Sequence, residues 1–370
     1  MPQATFSFPT TVLYGPGVIN RLPEELQHLG MLAPLVVTDR GLHKTAIFKR
    51  IEALLNNAPA FSDVDPNPTE RNVREGTAFY KSHGCDSLVV LGGGSAIDAA
   101  KAIRLTITHP LDLAEYDDNI GGSEKITSDL PPLIAVPTTA GTGSEVGRST
   151  VITLEKTNRK TVIFSPYLIP GLAIADPELT TGMPPNITAG TGMDAFTHNI
   201  EAFLAKGFQP ICDAIALGGA KIAYRNLPRV MANPNDIEAR GEMMVAAMMG
   251  AIAFQKGLGA VHSLAHPLST EFGMHHGTSN AVLLPIVLTF NRSAVPERFD
   301  ELQHELGKDV ADCTRELNQI CGIAPRLRDY GVPAQALPDL AQKAIQDGCH
   351  LSNPVPCTTD ILLSLYRQAW

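Results

Sequence analysis

Apolar residues recur along the first half of the chain in short runs bounded by turn residues: LVVTD at 35–39, SLVVLGGG at 87–94, LIAVPTT at 133–139 and GLAIADPEL at 171–179. Runs of this length, rich in Val, Ile and Leu, predict buried strands. Between them the apolar spacing becomes helical, from His43 to Leu55 and in SAIDAAKAIRL at 95–105, with Ser95 placed to cap the second helix. Strands alternating with helices predict βαβ units and a mostly parallel sheet. Past GMPP at 182–185 the strand signals nearly vanish. Helical spacing then dominates in ITAGTGMDAFTHNIEAFLA, PICDAIALGGAKIAYRNL, EARGEMMVAAMMGAIAF and the segments near 310–320 and 336–347. The pattern predicts an α/β domain over 1–182 and an all-helical domain over 183–370, a division that 370 residues favour over one core.

Composition narrows the class. At 44% hydrophobic and 18% charged the chain reads as an ordinary soluble globular protein. A formal charge of −9 without a Lys/Arg cluster argues against nucleic acid. The opening MPQATFSFPTTVLYG lacks the basic and apolar regions of a signal peptide. The most apolar run, AVLLPIVLTF at 281–290, contains a proline and falls short of the roughly 20 residues a membrane span needs. The expectation is a cytoplasmic protein with no membrane partner. Six cysteines without C-x-x-C pairing fit reduced thiols, and Cys349 stands out for its loop-like, histidine-bearing flank, GCHLSNP.

Two glycine loops carry candidate chemistry. GGGSAIDAAK at 92–101 follows a strand and opens a helix, where consecutive glycines and free N–H groups suit a phosphate. It is not the G-x-G-x-x-G fingerprint, and a tight strand-to-helix turn explains the glycines equally well. PTTAGTGSE at 137–145, also at a strand end, offers the hydroxyls and glycines that a dinucleotide's ribose, pyrophosphate or nicotinamide can use. Asp39, ending LVVTD, is placed to accept hydrogen bonds from an adenosine ribose. Its charge would repel a 2′-phosphate, so NAD(H) is favoured over NADP(H). Taken alone, Asp39 reads more readily as a plain turn or helix-capping aspartate than as a ribose ligand.

Four of the eleven histidines fall in VHSLAHPLSTEFGMHH at 261–276. His262 and His266 are spaced i, i+4, as are Asp194 and His198 in GMDAFTH, so each pair shares one helix face. Together with His275 or His276 they would make a compact N/O site for a divalent transition metal. Spacing does not decide between His262 and His266, nor between His275 and His276.

GGGSAIDAAK, PTTAGTGSE, GMDAFTH and GAVHSLAHPL followed by HHGTSNAVLLP resemble, in that order, the signature stretches of the iron-dependent (group III) alcohol dehydrogenases. The resemblance runs from Tyr14-Gly15 to the NP-x-P-x-T segment at 353–358. It implies a dehydroquinate synthase-like fold, with a Rossmann-like dinucleotide-binding α/β domain, an all-α C-terminal domain and the active site in the cleft between them. Homodimers or larger homo-oligomers are common in that family. It further implies that Asp194, His198, His262 and His276 hold the metal, while His266 lies beside it as a proton-handling residue and His275 has no inherited role. For the cofactor it implies Asp39 at the adenosine ribose, Gly93, Gly94 and Ser95 at the pyrophosphate, and Asp98 near the nicotinamide end in a catalytic position. Thr138 and Thr139 would lie along the dinucleotide, with Lys160 near the phosphates. The implied chemistry is hydride transfer between a small alcohol or aldehyde and the nicotinamide, with the metal as Lewis acid. Three imidazoles and a carboxylate suit Fe(II) and would also accept Zn(II).

Two cations depart from what the simple-alcohol members lead one to expect: Arg148 in EVGRSTVI and Lys256 in AFQKGLGAVH. Both at one pocket would suit an acid-bearing substrate such as 4-hydroxybutyrate or succinic semialdehyde. Pairing with a carboxylate or reaching solvent is the competing expectation for each. The rival functions are a metal- and NAD-dependent synthase of the dehydroquinate synthase type, a maleylacetate reductase working without the metal, and a non-catalytic binding module. Cys349, four residues before Asn353, falls where the family brings a C-terminal loop to the pocket.

Overall fold

The computed structural model describes residues 3–157 and 159–370. The first two positions of the N-terminal stretch read above therefore lie outside the described residues. The chain divides into two compact units, one of Pro9–Thr139 with Ser144–Gly182, the other of Ala140–Gly143 and Met183–Trp370 with the N-terminal residues up to Phe8. The first unit thus lends four residues of its second glycine loop to the second.

The α/β unit contains β1 (Thr11–Tyr14), β2 (Pro34–Asp39), β3 (Ala60–Val64), β4 (Ser87–Gly92), β5 (Leu133–Pro137), β6 (Ser149–Leu154), β7 (Arg159–Phe164) and β8 (Leu172–Ala175). Six of these form one sheet in the order β1-β8-β5-β4-β2-β3, with every pairing parallel. Its helices are α1 (Leu22–His28), α2 (Ala46–Leu54), α3 (Glu70–Ser82) and α4 (Gly94–Thr108). A sheet covered on both faces needs strands apolar on both sides, and β2, β4 and β5 accordingly bury nearly every residue. Leu35, Val37, Leu88 and Val90 point to a core that includes Val73 of α3 and Ile97, Ala100 and Ile103 of α4. Val36, Val89, Leu91, Ile134 and Val136 point the other way, to Leu22 and Leu26 of α1 and Phe48 and Ile51 of α2.

The four strands anticipated from the sequence are β2, β4, β5 and β8. The structure adds β1, β3 and the antiparallel ribbon β6–β7, whose alternating burial marks one face as covered. It also corrects the expected cap of α4. Gly93 is the N-cap and the helix begins at Gly94, while the Ser95 hydroxyl donates to the Pro66 carbonyl at 2.5 Å.

The second unit is helical: α5 (Pro185–Leu204), α6 (Pro210–Ala232), α7 (Ile237–Ala253), α8 (Ala260–Phe272), α9 (His276–Asn291), α10 (Pro296–Leu306), α11 (Val310–Ile320), α12 (Leu337–Ala344) and α13 (Thr359–Ala369). From Gly192 to Leu204, α5 is buried all round, packed by α6, α7 and α9. Among the described residues no single helix is long and apolar enough to cross a membrane.

Candidate functional site

In the helical unit α5 presents Asp194 and His198, α8 presents His262, and α9 opens with His276. Asp194 Oδ1 lies 3.7 Å from His198 Nε2, 3.9 Å from His262 Nε2 and 3.6 Å from His276 Nε2. The donor atoms of Asp194, His262 and His276 all fall within 4.8 Å of one another, and His198 stacks on His262 with ring centroids 4.7 Å apart. Glycine makes this convergence possible. A Cβ on Gly277 would come within 1.9 Å of the Gly190 carbonyl oxygen and 3.0 Å of Asp194 Cβ, so α9 reaches α5 only without a side chain there.

Burial and the neighbouring carboxylates act in opposite directions on His198 and His262. Burial pushes the His198 imidazole down to about 4, which keeps it neutral at physiological pH. Burial also disfavours the charged form of His262, but the Glu201 carboxylate outweighs it and raises the group, by a hydrogen bond and by charge. That contact is 2.6 Å, from His262 Nδ1 to Glu201 Oε2, and it turns the other ring nitrogen toward Asp194. Asn280 Nδ2 donates to Asp194 Oδ1 at 2.8 Å and faces His262 Nε2 at 3.4 Å and His276 Nε2 at 3.3 Å. One amide thus meets the carboxylate and two ring nitrogens. One carboxylate and three imidazoles form a donor set that fits a divalent metal such as Fe(II) or Zn(II).

His266, one turn beyond His262, is not part of that set. Its ring centroid lies 5.2 Å from that of His276, and its Nδ1 is 2.7 Å from Asp347 Oδ2. Burial acts to raise the Asp347 carboxyl, but the His266 charge and hydrogen bond hold it well below the usual carboxylate range. His275 is exposed, and its ring sits against Gly190, where a Cβ would approach Nδ1 to 2.4 Å. The sequence reading missed Glu201, Asn280 and Asp347. Two of them carried a signal: Glu201 is i+7 from Asp194 on the same face of α5, and Asn280 is i+4 from His276 on α9.

In the α/β unit Asp39, Gly93, Thr138 and Thr139 stand at or just past the carboxyl ends of the adjacent strands β2, β4 and β5, with Gly94, Ser95 and Asp98 on α4 and Lys160 on β7. Asp39 Oδ1 accepts from the backbone N–H groups of Gly41 and Leu42 at 2.8 and 2.9 Å, so one oxygen closes the turn after β2. Gly93 approaches Thr139 so closely that a Cβ would meet its Cγ2 and Oγ1 at 3.0 Å. Thr138 is buried; Gly93, Gly94 and Ser95 at the start of α4 are partly exposed, as is Thr139 after β5. Both oxygens of Asp98 are engaged, by Ser144 Oγ at 2.7 Å and Val151 N at 3.0 Å, and Lys160 acts on it by charge. One turn on, the buried Lys101 ammonium donates to the carbonyls of Ser144, Gly147 and Ser149 at 2.7 to 2.9 Å. Asp98 and Lys101 together fix the loop that follows the second glycine stretch.

The anion reading of Lys256 is overturned. Its side chain is fully buried, pairs with Asp213 and donates to the Phe203 carbonyl at 3.0 Å, while Arg298 shares Asp213 at 2.9 Å. Arg148 differs, being partly exposed with its guanidinium 5.1 Å from the Phe164 ring centre.

Comparison with known proteins agrees with this geometry. Residues 9–177 match the model of the iron-containing alcohol dehydrogenases, and residues 188–370 match that of the C-terminal part of the Fe-containing alcohol dehydrogenase family. The chain is 43% identical over 353 residues to a 4-hydroxybutyrate dehydrogenase of Cupriavidus necator, covering 91% of this chain and 92% of that protein. A crystal structure of a 1,3-propanediol oxidoreductase superposes with a TM-score of 0.94 at 36% identity, over 99% of this chain and 100% of the other. A sulfoacetaldehyde reductase of Bifidobacterium kashiwanohense, solved with NAD+, gives 0.91 at 32% identity over 99% and 98%. The chain belongs to the iron-containing alcohol dehydrogenase family. It is an oxidoreductase, an alcohol dehydrogenase of that family acting on small molecules.

Proposed function

We propose that the chain is an NAD(H)-dependent, iron-dependent dehydrogenase interconverting a short primary alcohol and its aldehyde. The α/β unit within 1–182 would be its dinucleotide-binding domain, and 183–370, with the N-terminal residues up to Phe8 and Ala140–Gly143, its metal-binding catalytic domain. The observation that carries the reading is the convergence of Asp194, His198, His262 and His276 on one buried point. These four would hold the metal. Asp39, Gly93, Gly94, Ser95, Thr138, Thr139 and Lys160 would hold the dinucleotide, with Asp98 fixing the adjoining loop. When bound, a divalent metal supplies Lewis acidity toward the alcohol oxygen and the nicotinamide accepts or returns the hydride. His266 handles the proton: Asp347 engages its Nδ1, which leaves Nε2 as the nitrogen able to take or give one. Anaerobic purification, chelation and return of Fe(II) or Zn(II) test the reading. Activity that survives complete metal removal would refute it and favour a maleylacetate reductase-like enzyme.

The identity to a 4-hydroxybutyrate dehydrogenase and the partly exposed Arg148 support an acid-bearing substrate, succinic semialdehyde in the reducing direction. Arg148 is the cation that would pair with the carboxylate, and Lys256 takes no part. An Arg148→Ala variant should lose activity on succinic semialdehyde and keep it on butyraldehyde. The same reading takes the enzyme as a cytoplasmic homodimer or higher homo-oligomer, which sedimentation and cell fractionation check.

A further inference from the structure

Beside the four converging side chains stands a second group of metal donors, which joins Cys349 to the proposed proton-handling His266 and its partner Asp347. His266 Nδ1 lies 2.7 Å from Asp347 Oδ2, and the other oxygen of Asp347 accepts from Ser263 Oγ at 2.8 Å and the Cys349 backbone N–H at 2.9 Å. His266, Asp347 and Cys349 each offer a donor atom, and the three atoms lie within 4.8 Å of one another. The side chains of His266 and Asp347 keep 14% and 16% of their surface open.

We propose that His266, Asp347 and Cys349 form a second metal site, selective for a thiophilic divalent ion such as Zn(II) or Co(II), whose filling takes His266 out of catalysis. Carboxylate, imidazole and thiolate are the three donor classes zinc takes in proteins, and a thiolate distinguishes this site from the oxygen- and nitrogen-only set at Asp194. Binding balances in charge. The Cys349 thiol gives its proton to solvent, His266 binds as a neutral imidazole, and the thiolate and the Asp347 carboxylate together offset the two positive charges. Asp347 is already oriented by Ser263 and the Cys349 backbone, which leaves its His266-facing oxygen to exchange a hydrogen bond for the metal. The inhibitory consequence rests on the proton-handling role proposed for His266, whereas the site itself does not.

The test uses zinc-loaded holoenzyme titrated with Co(II). Only a thiolate ligand gives the near-ultraviolet sulfur-to-cobalt charge-transfer band, and cobalt exchanged into the Asp194 site cannot produce it. The band should saturate at one Co(II) per chain, vanish in Cys349→Ser, persist in Cys357→Ser and need at least tenfold more cobalt in Asp347→Asn. First-site zinc retained by Cys349→Ser would show that this variant is folded. No band, or a band untouched by Cys349→Ser, overturns the site. Excess Zn(II) should inhibit the wild type and spare Cys349→Ser. A band without zinc inhibition upholds the site and refutes the role of His266.

Discussion

Replacing Glu201 by Gln tests whether the helical unit orients the residues proposed to hold its metal. The wild-type carboxylate accepts twice in a buried place, from His262 Nδ1 at 2.6 Å and from the Val261 backbone N–H at 2.8 Å. Glutamine keeps the shape but has one acceptor oxygen for two donors, so one buried N–H faces an amide N–H. The unsatisfied donor costs about 1–3 kcal/mol of folding stability. A second loss falls on metal binding: a neutral amide cannot raise the basicity of the far nitrogen of His262 as a carboxylate does. Partners of this kind are worth about 10–100-fold in metal affinity, equivalent to roughly 1.4–2.8 kcal/mol. The assay is competition of anaerobically prepared Glu201→Gln against a chromogenic chelator, with a thermal melt of the metal-free protein alongside. A lower melting temperature with weakened affinity is expected. Unchanged affinity in a folded variant would refute the claim that Glu201 orients His262 for a metal.

Gly277→Ala should lower the melting temperature and the metal content together, because the added carbon meets backbone at 1.9 Å and overpacking of this kind costs about 1–3 kcal/mol or more; a variant as stable as wild type would contradict the α9–α5 contact. Lys256→Met should destabilise by about 3 kcal/mol, the low end for a broken buried pair because Arg298 still faces Asp213, while leaving the ratio of activity on succinic semialdehyde to that on butyraldehyde unchanged. A shift in that ratio would restore Lys256 to the substrate site. Burial raises the Glu145 carboxyl from 4.5 to about 7, so the folded state holds a proton there that the unfolded state has lost. That stability is fully present below pH 4.5 and is lost as pH rises through about 7, by at most about 3 kcal/mol. Chemical denaturation from pH 5 to 7 should therefore show a shallower decline in Glu145→Gln than in wild type.

How much of this was legible before folding depends on whether a residue's partner lies on its own element. Asp194 and His198 share a helix face by spacing alone, as do His262 and His266, so the pairs could be read as metal-binding candidates. Choosing His276 over His275 could not, because the two are adjacent at the start of α9, His275 as the non-helical N-cap, and only packing says which one meets α5. The resemblance to a family supplied that choice, and in the structure His276 lies 3.6 Å from Asp194 while His275 turns to Gly190. The same limit explains the strands. Those buried on both faces announce themselves as unbroken apolar runs, whereas β6 and β7 are covered on one face, and their Thr, Ser, Arg and Lys dilute the signal. Lys256 failed for a related reason. A lysine among glycines reads as a surface cation, and its partner Asp213 lies 43 positions away on α6, a distance that no local pattern spans. Asp347 is further still from His266, 81 positions, and it decides which nitrogen of that histidine is left for chemistry. The ligands of such a site are thus largely written in local periodicity, while the groups that set their tautomers arrive from elsewhere in the chain. Substitution of those distant groups is accordingly where the functional reading is most exposed to refutation.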